Sequence, residues 1–251
     1  MSYQSVSLSK DLPVPLYYQL KTILLEQIRT EMKPNDKLPA EDELAAIYGV
    51  SKATVRQALN ELAVAGVLRR EQGRGTFVAE PKLAQGPREL TSFTEEMNKL
   101  GFRPTSKVLV HDLIEAEADV AEKLKIEKGA PVVRLKRLRI ADGKPMGIQT
   151  AYIPVELAPG LADEDFAEAS LYNVLERKYG LQPVRAQETY FAVLLEQDEA
   201  RLLKVAATSP GIAAERLSFL ASGRTLELVY SIMRGDRYKI VLDLTKHHPR
   251  Y

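Results

Sequence analysis

Ahead of Gly66, apolar residues recur at three- and four-residue spacing in three separate runs. Leu16, Leu20, Ile23, Leu24 and Ile28 mark one face of a first helix, the stripe of an element that buries one side. Pro15 suits its first turn, where a missing N–H costs nothing, and "KPNDKLP" stops it. A short second helix follows Pro39. Glu41, Asp42 and Glu43 fall in its first turn, where carboxylates suit the positive helix end. Leu44, Ala45 and Ile47 are its buried side, and Gly49 is its stop. Ser51, a good N-cap, opens a third helix with the apolar face Val55, Ala58, Leu59 and Leu62. Residues 67–70 and 76–78 then predict two short strands around the glycine-bearing turn "EQGRG".

The pattern changes after residue 78. "AEPKLAQGP", residues 79–87, has two prolines, a glycine and no apolar periodicity, as a linker does. "ELTSFTEEMNKLG" predicts a helix with Phe93, Met97 and Leu100 on one side and Gly101 at its end. Strands are predicted at 108–113, 132–140 and 145–153, the last two joined by a hairpin at "ADGK". Helices at 170–179 and 198–204 and strands at 184–194, 212–221, 226–234 and 238–244 complete the chain. No steady βαβ rhythm and no internal repeat is evident. The fold class is therefore α+β: a helical N-terminal domain with a β-hairpin over 1–78, a linker over 79–87, and a mostly antiparallel domain over 88–251.

Two short helices joined by so tight a turn form a helix-turn-helix, and the basic hairpin makes it a winged one. In that arrangement the second helix of the pair lies in the DNA major groove, its N-terminal residues towards base edges. Lys52, Arg56 and Asn60 fall four apart on the polar face of this helix. Arg56 can donate two hydrogen bonds to guanine, and Lys52 can reach guanine or phosphate. Ser51 and Thr54 suit phosphate contacts. In the wing, Gln72 and Gly73 lie at the tip, and Arg74 can enter the minor groove or hold phosphate. The bland alternative, a merely solvated helix face, leaves the tight turn and the basic wing unexplained.

Composition neither adds to nor opposes this. The chain of 251 residues is 45% hydrophobic and 27% charged, with a net charge of +1. Bulk charge thus gives no sign of nucleic acid, yet residues 51–78 carry five basic against two acidic side chains. Any phosphate-binding surface is local. There is no cysteine, which excludes disulfides and thiol catalysis and agrees with a cytoplasmic protein. No apolar run approaches the roughly 20 residues of a membrane span.

In the second domain the informative strand is "VVRLKRLRI". Alternation puts Val133, Leu135, Arg137 and Arg139 on one face. Two like charges among core-type residues are costly unless an anion lies between them, and phosphate binds guanidinium bidentately. Alternation alone leaves two other readings open: the face turns polar towards the strand end, or Asp or Glu side chains neutralise both arginines.

The stretches "PLYYQLKTILLEQI" and "LPAEDELAAIYGVSKATVRQALNELAVAGVLRREQGRGTFV" resemble the GntR family of bacterial transcription regulators. The family often has arginine where this chain has Asp42, and this departure implies an altered base preference. "ELTSFTEEMNKLGF", "VVRLKRLRIADGKPMGIQTAYIP", "SLYNVLERKYG" and "ELVYSIMRGDRY" resemble the UTRA ligand-sensing domain of the HutC subfamily. Within it the resemblance is to amino-sugar-phosphate-responsive repressors of the NagR type. It implies a homodimeric repressor that binds double-stranded operator DNA and a small anionic effector, most simply a phosphorylated sugar. The alternative effector is a non-phosphorylated acid such as urocanate. By this resemblance Arg137, Arg139, Ser170 and the backbone of Ser92, Phe93 and Thr94 hold phosphate. Gln149, Glu227 and Met233 lie at the sugar end, with Gln149 in place of a family Glu and Met233 in place of a Tyr. The bland readings are a capping box of Ser92 with Glu95 and an ordinary N-cap at Ser170.

No catalytic residue, cofactor or metal is expected. The sensing domain is similar in fold to chorismate lyase, so an enzyme is the competing class, but no acid–base pair is evident and fold alone does not carry catalysis. The adjacent His247 and His248 lack further ligands for a metal. "RGD" at 234–236 reads as a turn.

Overall fold

The structure is a computed structural model and describes residues 8–9, 13–71, 73–80, 83–85 and 90–241. The chain divides into two compact units, Met1–Leu83 and Ala84–Tyr251.

The first unit contains α1 (Leu16–Glu31), α2 (Glu41–Tyr48), α3 (Lys52–Val64) and the antiparallel strands β1 (Leu68–Glu71) and β2 (Gly75–Val78). Pro15 is the N-cap of α1 rather than a residue of its first turn. Leu20, Leu24 and Ile28 of α1 meet Leu44 and Tyr48 of α2 and Val55, Ala58, Leu59 and Leu62 of α3 in one core. Leu59 is fully buried, and its truncation to alanine costs about 2–5 kcal/mol at such a site. Gly49 ends α2 with φ 63°, a left-handed value glycine adopts without steric cost. That residue makes the sharp turn into α3. Ser51 caps α3, its Oγ accepting from Thr54 N at 3.2 Å.

The short strand β3 (Leu83–Gln85) lies at the division between the units. The second unit continues with α4 (Phe93–Lys99), β4 (Pro104–Glu115), α5 (Ala118–Leu124), β5 (Pro131–Ala141) and β6 (Lys144–Pro154). Then come α6 (Leu171–Tyr179), β7 (Arg185–Leu194), α7 (Gln197–Leu203), β8 (Pro210–Phe219), β9 (Thr225–Arg234) and β10 (Tyr238–Ile240). Six strands form one sheet in the order β4-β5-β6-β9-β8-β7, with every neighbouring pair antiparallel. The β5–β6 hairpin turns through Asp142 and Gly143, both with positive φ, as a two-residue turn matched to strand twist requires. Helix α5 was not expected from the sequence.

The second unit contains a structural repeat that the sequence pattern did not reveal. Helix, strand, helix, strand, strand (α4-β4-α5-β5-β6) recurs as α6-β7-α7-β8-β9. Lys125 and Lys204 end α5 and α7 with φ 56° and 55°, and Pro131 and Pro210 open the strands that follow. Arg137 pairs with Gln149 across β5–β6, and Arg216 pairs with Val229 across β8–β9. At the centre of the sheet, Thr150↔Tyr230 is flanked by Gln149↔Ser231 and Ala151↔Val229. That register is the one a local two-fold through the Thr150–Tyr230 pair produces. The helices cross the same divide: α5 packs on Leu228 and Tyr230 of β9, and α7 on Ile148 of β6. The sequence does carry a trace of the repeat: Leu124, Lys125, Pro131, Arg137 and Leu138 match Leu203, Lys204, Pro210, Arg216 and Leu217 in type and spacing, and the reading of short-period patterns passed over it.

Candidate functional site

In the first unit, Ser51 caps α3, and Lys52, Thr54 and Arg56 lie on its first two turns. Arg56 and Lys52 are well exposed, with 62% and 61% of their side-chain surface accessible. Both cations are held by carboxylates from the start of α2. Arg56 Nε donates to Glu41 Oε2 at 3.1 Å, and Lys52 pairs with Asp42. Glu41 also accepts, through Oε1, from Arg70 Nη2 of β1 at 3.1 Å. One carboxylate therefore ties the recognition-type helix to the wing. In the wing, Arg74 pairs with Glu71 at 2.6 Å and lies over the Phe77 ring. Gly73 has φ 73°, so the tip needs glycine. Gln72 lies outside the described residues. Exposed pairs of this kind contribute only about 0–1 kcal/mol, so each cation can exchange its carboxylate for a phosphate or a base edge at small cost.

In the second unit, the sheet face opposite α5 and α7 carries a small cavity. Its lining includes Ser92, Phe93, Thr94, Arg137, Arg139, Gln149, Ser170 and Glu227. Met233 lines an adjoining lobe that shares Phe93, Arg139, Gln149 and Arg216 with the first. Residues from both N-terminal turns of α4 and α6 thus face two arginines of β5.

Arg137 is 2% and Arg139 7% exposed. Among the described residues neither has a carboxylate within salt-bridge distance. Arg137 Nη1 donates to Ala169 O at 3.2 Å, and its guanidinium lies 5.8 Å from the centre of the Phe166 ring. Arg139 Nη1 donates to Ser106 Oγ at 2.9 Å and Nε to Gln149 Oε1 at 3.0 Å. Burial pulls the Arg137 guanidinium down to about 10, against the opposing charge of Glu227. Burial and then the neighbouring charge of Arg137 pull Arg139 well below the usual arginine range. Glu227, 1% exposed, accepts from Tyr172 OH at 2.5 Å and Ser218 Oγ at 2.9 Å. The neutralising carboxylates that alternation left open are therefore absent at contact distance, and the pocket keeps an excess of buried positive charge.

Ser170 and Ser92 differ. Ser92 Oγ accepts from Glu95 N at 3.2 Å while Glu95 Oε2 accepts from Ser92 N at 3.0 Å, a capping box. Ser170 is the N-cap of α6 but makes no side-chain cap, and its Oγ is buried without a partner. Buried hydroxyls are ordinarily bonded, so this one is poised for something else. The sequence reading did not single out Tyr172, Arg216, Glu188 or Glu96, all of which line the two lobes. Arg216 had a signal: it holds the place in "PGIAAERLSF" that Arg137 holds in "PVVRLKRLRI".

Residues 16–78 match the model for "Bacterial regulatory proteins, gntR family", and residues 99–239 match the UTRA domain. The chain belongs to the GntR family of transcription regulators. It is 36% identical to the HTH-type transcriptional repressor NagR of Bacillus subtilis (strain 168), over 94% of this chain and 97% of that protein. It is 32% identical to the mannosyl-D-glycerate transport/metabolism system repressor MngR of Escherichia coli (strain K12), over 91% and 95%. The crystal structure of PhnF from Mycobacterium smegmatis matches with a TM-score of 0.65 at 32% identity, covering 89% of this chain and 98% of that one. As a GntR-family regulator the chain joins a DNA-binding helix-turn-helix to an effector-binding UTRA domain.

The motifs set aside earlier have structural places. Arg234 and Asp236 of "RGD" form a bidentate pair at 2.9 and 2.7 Å across the turn between β9 and β10. His247 and His248 lie outside the described residues. Among the described residues no acid or histidine cluster suits a metal, and no helix is long and apolar enough to cross a membrane.

Proposed function

We propose that this GntR-family regulator is a homodimeric repressor whose hold on operator DNA is controlled by a phosphorylated sugar bound in the UTRA cavity. Its DNA-binding part is 1–78, its effector part 88–251, and 79–87 join them. The observation that carries the reading is the pairing of two buried arginines, free of contacting carboxylates, with the unpartnered hydroxyl of Ser170. Phosphate satisfies all three: it supplies the missing charge, accepts bidentate guanidinium bonds and accepts from a hydroxyl. The N–H groups of Phe93 and Thr94 in the first turn of α4 add donors to the same anion.

Gln149 and Met233 set the sugar end. Gln149 Oε1 is engaged by Arg139, so its amide offers N–H rather than a carboxylate to the ligand. Buried Met233 offers apolar contact. Gln149 can hydrogen-bond a sugar hydroxyl but cannot ion-pair with an ammonium. In the DNA-binding unit, Arg56, Lys52, Ser51, Thr54 and the wing residues Gln72, Gly73 and Arg74 contact the operator. Two such units read half-sites spaced about 34 Å or a multiple apart. Effector changes DNA affinity through its differing affinity for the DNA-competent and DNA-incompetent states.

Thermal unfolding of the full chain against glucosamine 6-phosphate, N-acetylglucosamine 6-phosphate, glucose 6-phosphate, their unphosphorylated partners and urocanate tests this. At a hundred times its Kd a ligand stabilises the native state by about 2.7 kcal/mol. Stabilisation by a phosphorylated member alone supports the reading. Equal affinity for phosphorylated and unphosphorylated forms overturns it.

A further inference from the structure

The repeat in the second unit places two arginines in matching positions, and the match extends to their contacts. Arg137 Nη1 donates to Ala169 O, the residue before Ser170, at 3.2 Å. Arg216 Nη1 donates to Thr91 O, the residue before Ser92, at 3.4 Å. Each arginine thus reaches across the local two-fold to the residue ahead of the other half's N-cap serine. Both line the same cavity. The protein has two versions of one anion-holding arrangement.

The two versions differ in what closes them. Arg137 is paired across β4–β5 with Val108, whereas Arg216 is paired across β7–β8 with Glu188. Glu188 Oε1 accepts from Arg216 Nε at 2.7 Å. The position three residues beyond Ser170 is Asn173, which gives the serine no capping partner, whereas Glu95 closes Ser92. Both departures act in the same sense. Arg216 is contacted by a carboxylate and its neighbouring N-cap serine is closed by another, whereas no carboxylate contacts Arg137 or Ser170. Burial is the largest influence on the Arg216 guanidinium and lowers it, but the charge and hydrogen bond of Glu188, with Tyr172 and Glu227, together outweigh it and raise the group, the reverse of Arg137.

We propose that Glu188 is an internal anion filling the second of two related anion positions, and that it restricts the cavity to ligands with one anionic group. This deepens the effector reading and rests on it for the ligand at Arg137. The far lobe also holds the half-buried Glu96 beside Glu188, so a second phosphate or carboxylate on the ligand meets repulsion there. The class admitted is a monoester with an uncharged, hydroxyl-bearing remainder; bisphosphates and phosphorylated sugar acids are refused.

The experiment titrates inorganic phosphate into the full chain, Glu188→Gln, and Glu188→Gln combined with Arg216→Gln, observed by phosphorus NMR. Circular dichroism confirms folding, and Glu188→Ser replaces Glu188→Gln if that variant is not native. Glu188→Gln is expected to gain a phosphate-binding phase lost again in the double variant, with affinity for it raised about tenfold or more, one good charged hydrogen bond's worth. Folded variants that bind phosphate as the parent does overturn the proposal. The effector reading is scored separately, by whether the parent's own phosphate binding disappears in Arg137→Ala. If that binding exists and Glu188→Gln adds none, only the present proposal falls. If the parent binds none while Glu188→Gln binds through Arg216, only the effector reading falls.

Discussion

Arg137 Nη1 and the carbonyl of Ala169 are 3.2 Å apart, so a buried cation is anchored beside the one N-cap serine of its cavity whose hydroxyl has no partner. A guanidinium has five N–H groups, and this is its only hydrogen bond among the described residues. The anchor fixes the fork without consuming it, which is what a preorganised anion site requires.

Ser170 therefore gains little from its hydroxyl until ligand arrives. Ser170→Ala is expected to leave the melting temperature of the ligand-free protein unchanged or higher, because a buried unsatisfied hydroxyl costs about 1–3 kcal/mol. The same variant is expected to bind the phosphorylated sugar proposed as effector roughly tenfold more weakly, from the loss of one charge-assisted hydrogen bond. Calorimetric titration and unfolding on one preparation check both. A marked loss of stability without ligand would show that the hydroxyl serves the helix cap after all.

Arg56 and Glu41 make the corresponding test in the first unit. Arg56→Ala is expected to abolish discrimination between operator and unrelated DNA while leaving effector-induced stabilisation intact. Glu41→Gln frees both Arg56 and Arg70 and removes a negative charge from the surface proposed to face DNA. It is expected to strengthen non-specific DNA binding several-fold at low salt, with the gain shrinking as salt rises. Fluorescence anisotropy over a salt series reads both, and a salt-independent effect would contradict the electrostatic account.

Glu96 gives a pH dependence. Its carboxyl is raised above the ordinary 4.5 by burial and by the charge of Glu188, against the opposing charge of Arg216. The folded state thus favours the protonated form. The ionised form weakens the native state above the folded pKa, and this penalty disappears below the unfolded value. Glu96→Gln is expected to melt higher than the parent at neutral pH, with the difference closing as pH falls towards 4.5. A difference that stays constant across that range, followed by unfolding at several pH values, would place Glu96 in a solvated setting.

The helix-turn-helix was legible because each of its signals is local. The caps, the turn glycine and the three- and four-residue spacing of Leu20, Leu24, Val55 and Leu59 need no knowledge of the rest of the fold. Arg137 and Arg139 were legible as a conflict, charge at core positions, and the structure leaves that conflict unneutralised. Arg216 and Glu188 were not. Paired across strands, they satisfy each other and raise no alarm in a linear reading, and only the β7–β8 register brings them together. The repeat was hidden for a related reason. Its traces, such as the left-handed Lys125 and Lys204, each preceded by leucine, lie 79 residues apart, beyond the reach of a reading made over windows of a few residues.

The central claim, that Arg137 anchors a phosphate, is tested most directly by thermal unfolding of the parent and Arg137→Ala with the same panel of phosphorylated and unphosphorylated sugars. The account predicts that a phosphorylated sugar at a hundred times its Kd stabilises the parent by about 2.7 kcal/mol and leaves Arg137→Ala unmoved, while that variant still binds operator DNA. Equal stabilisation of the parent and Arg137→Ala would contradict it.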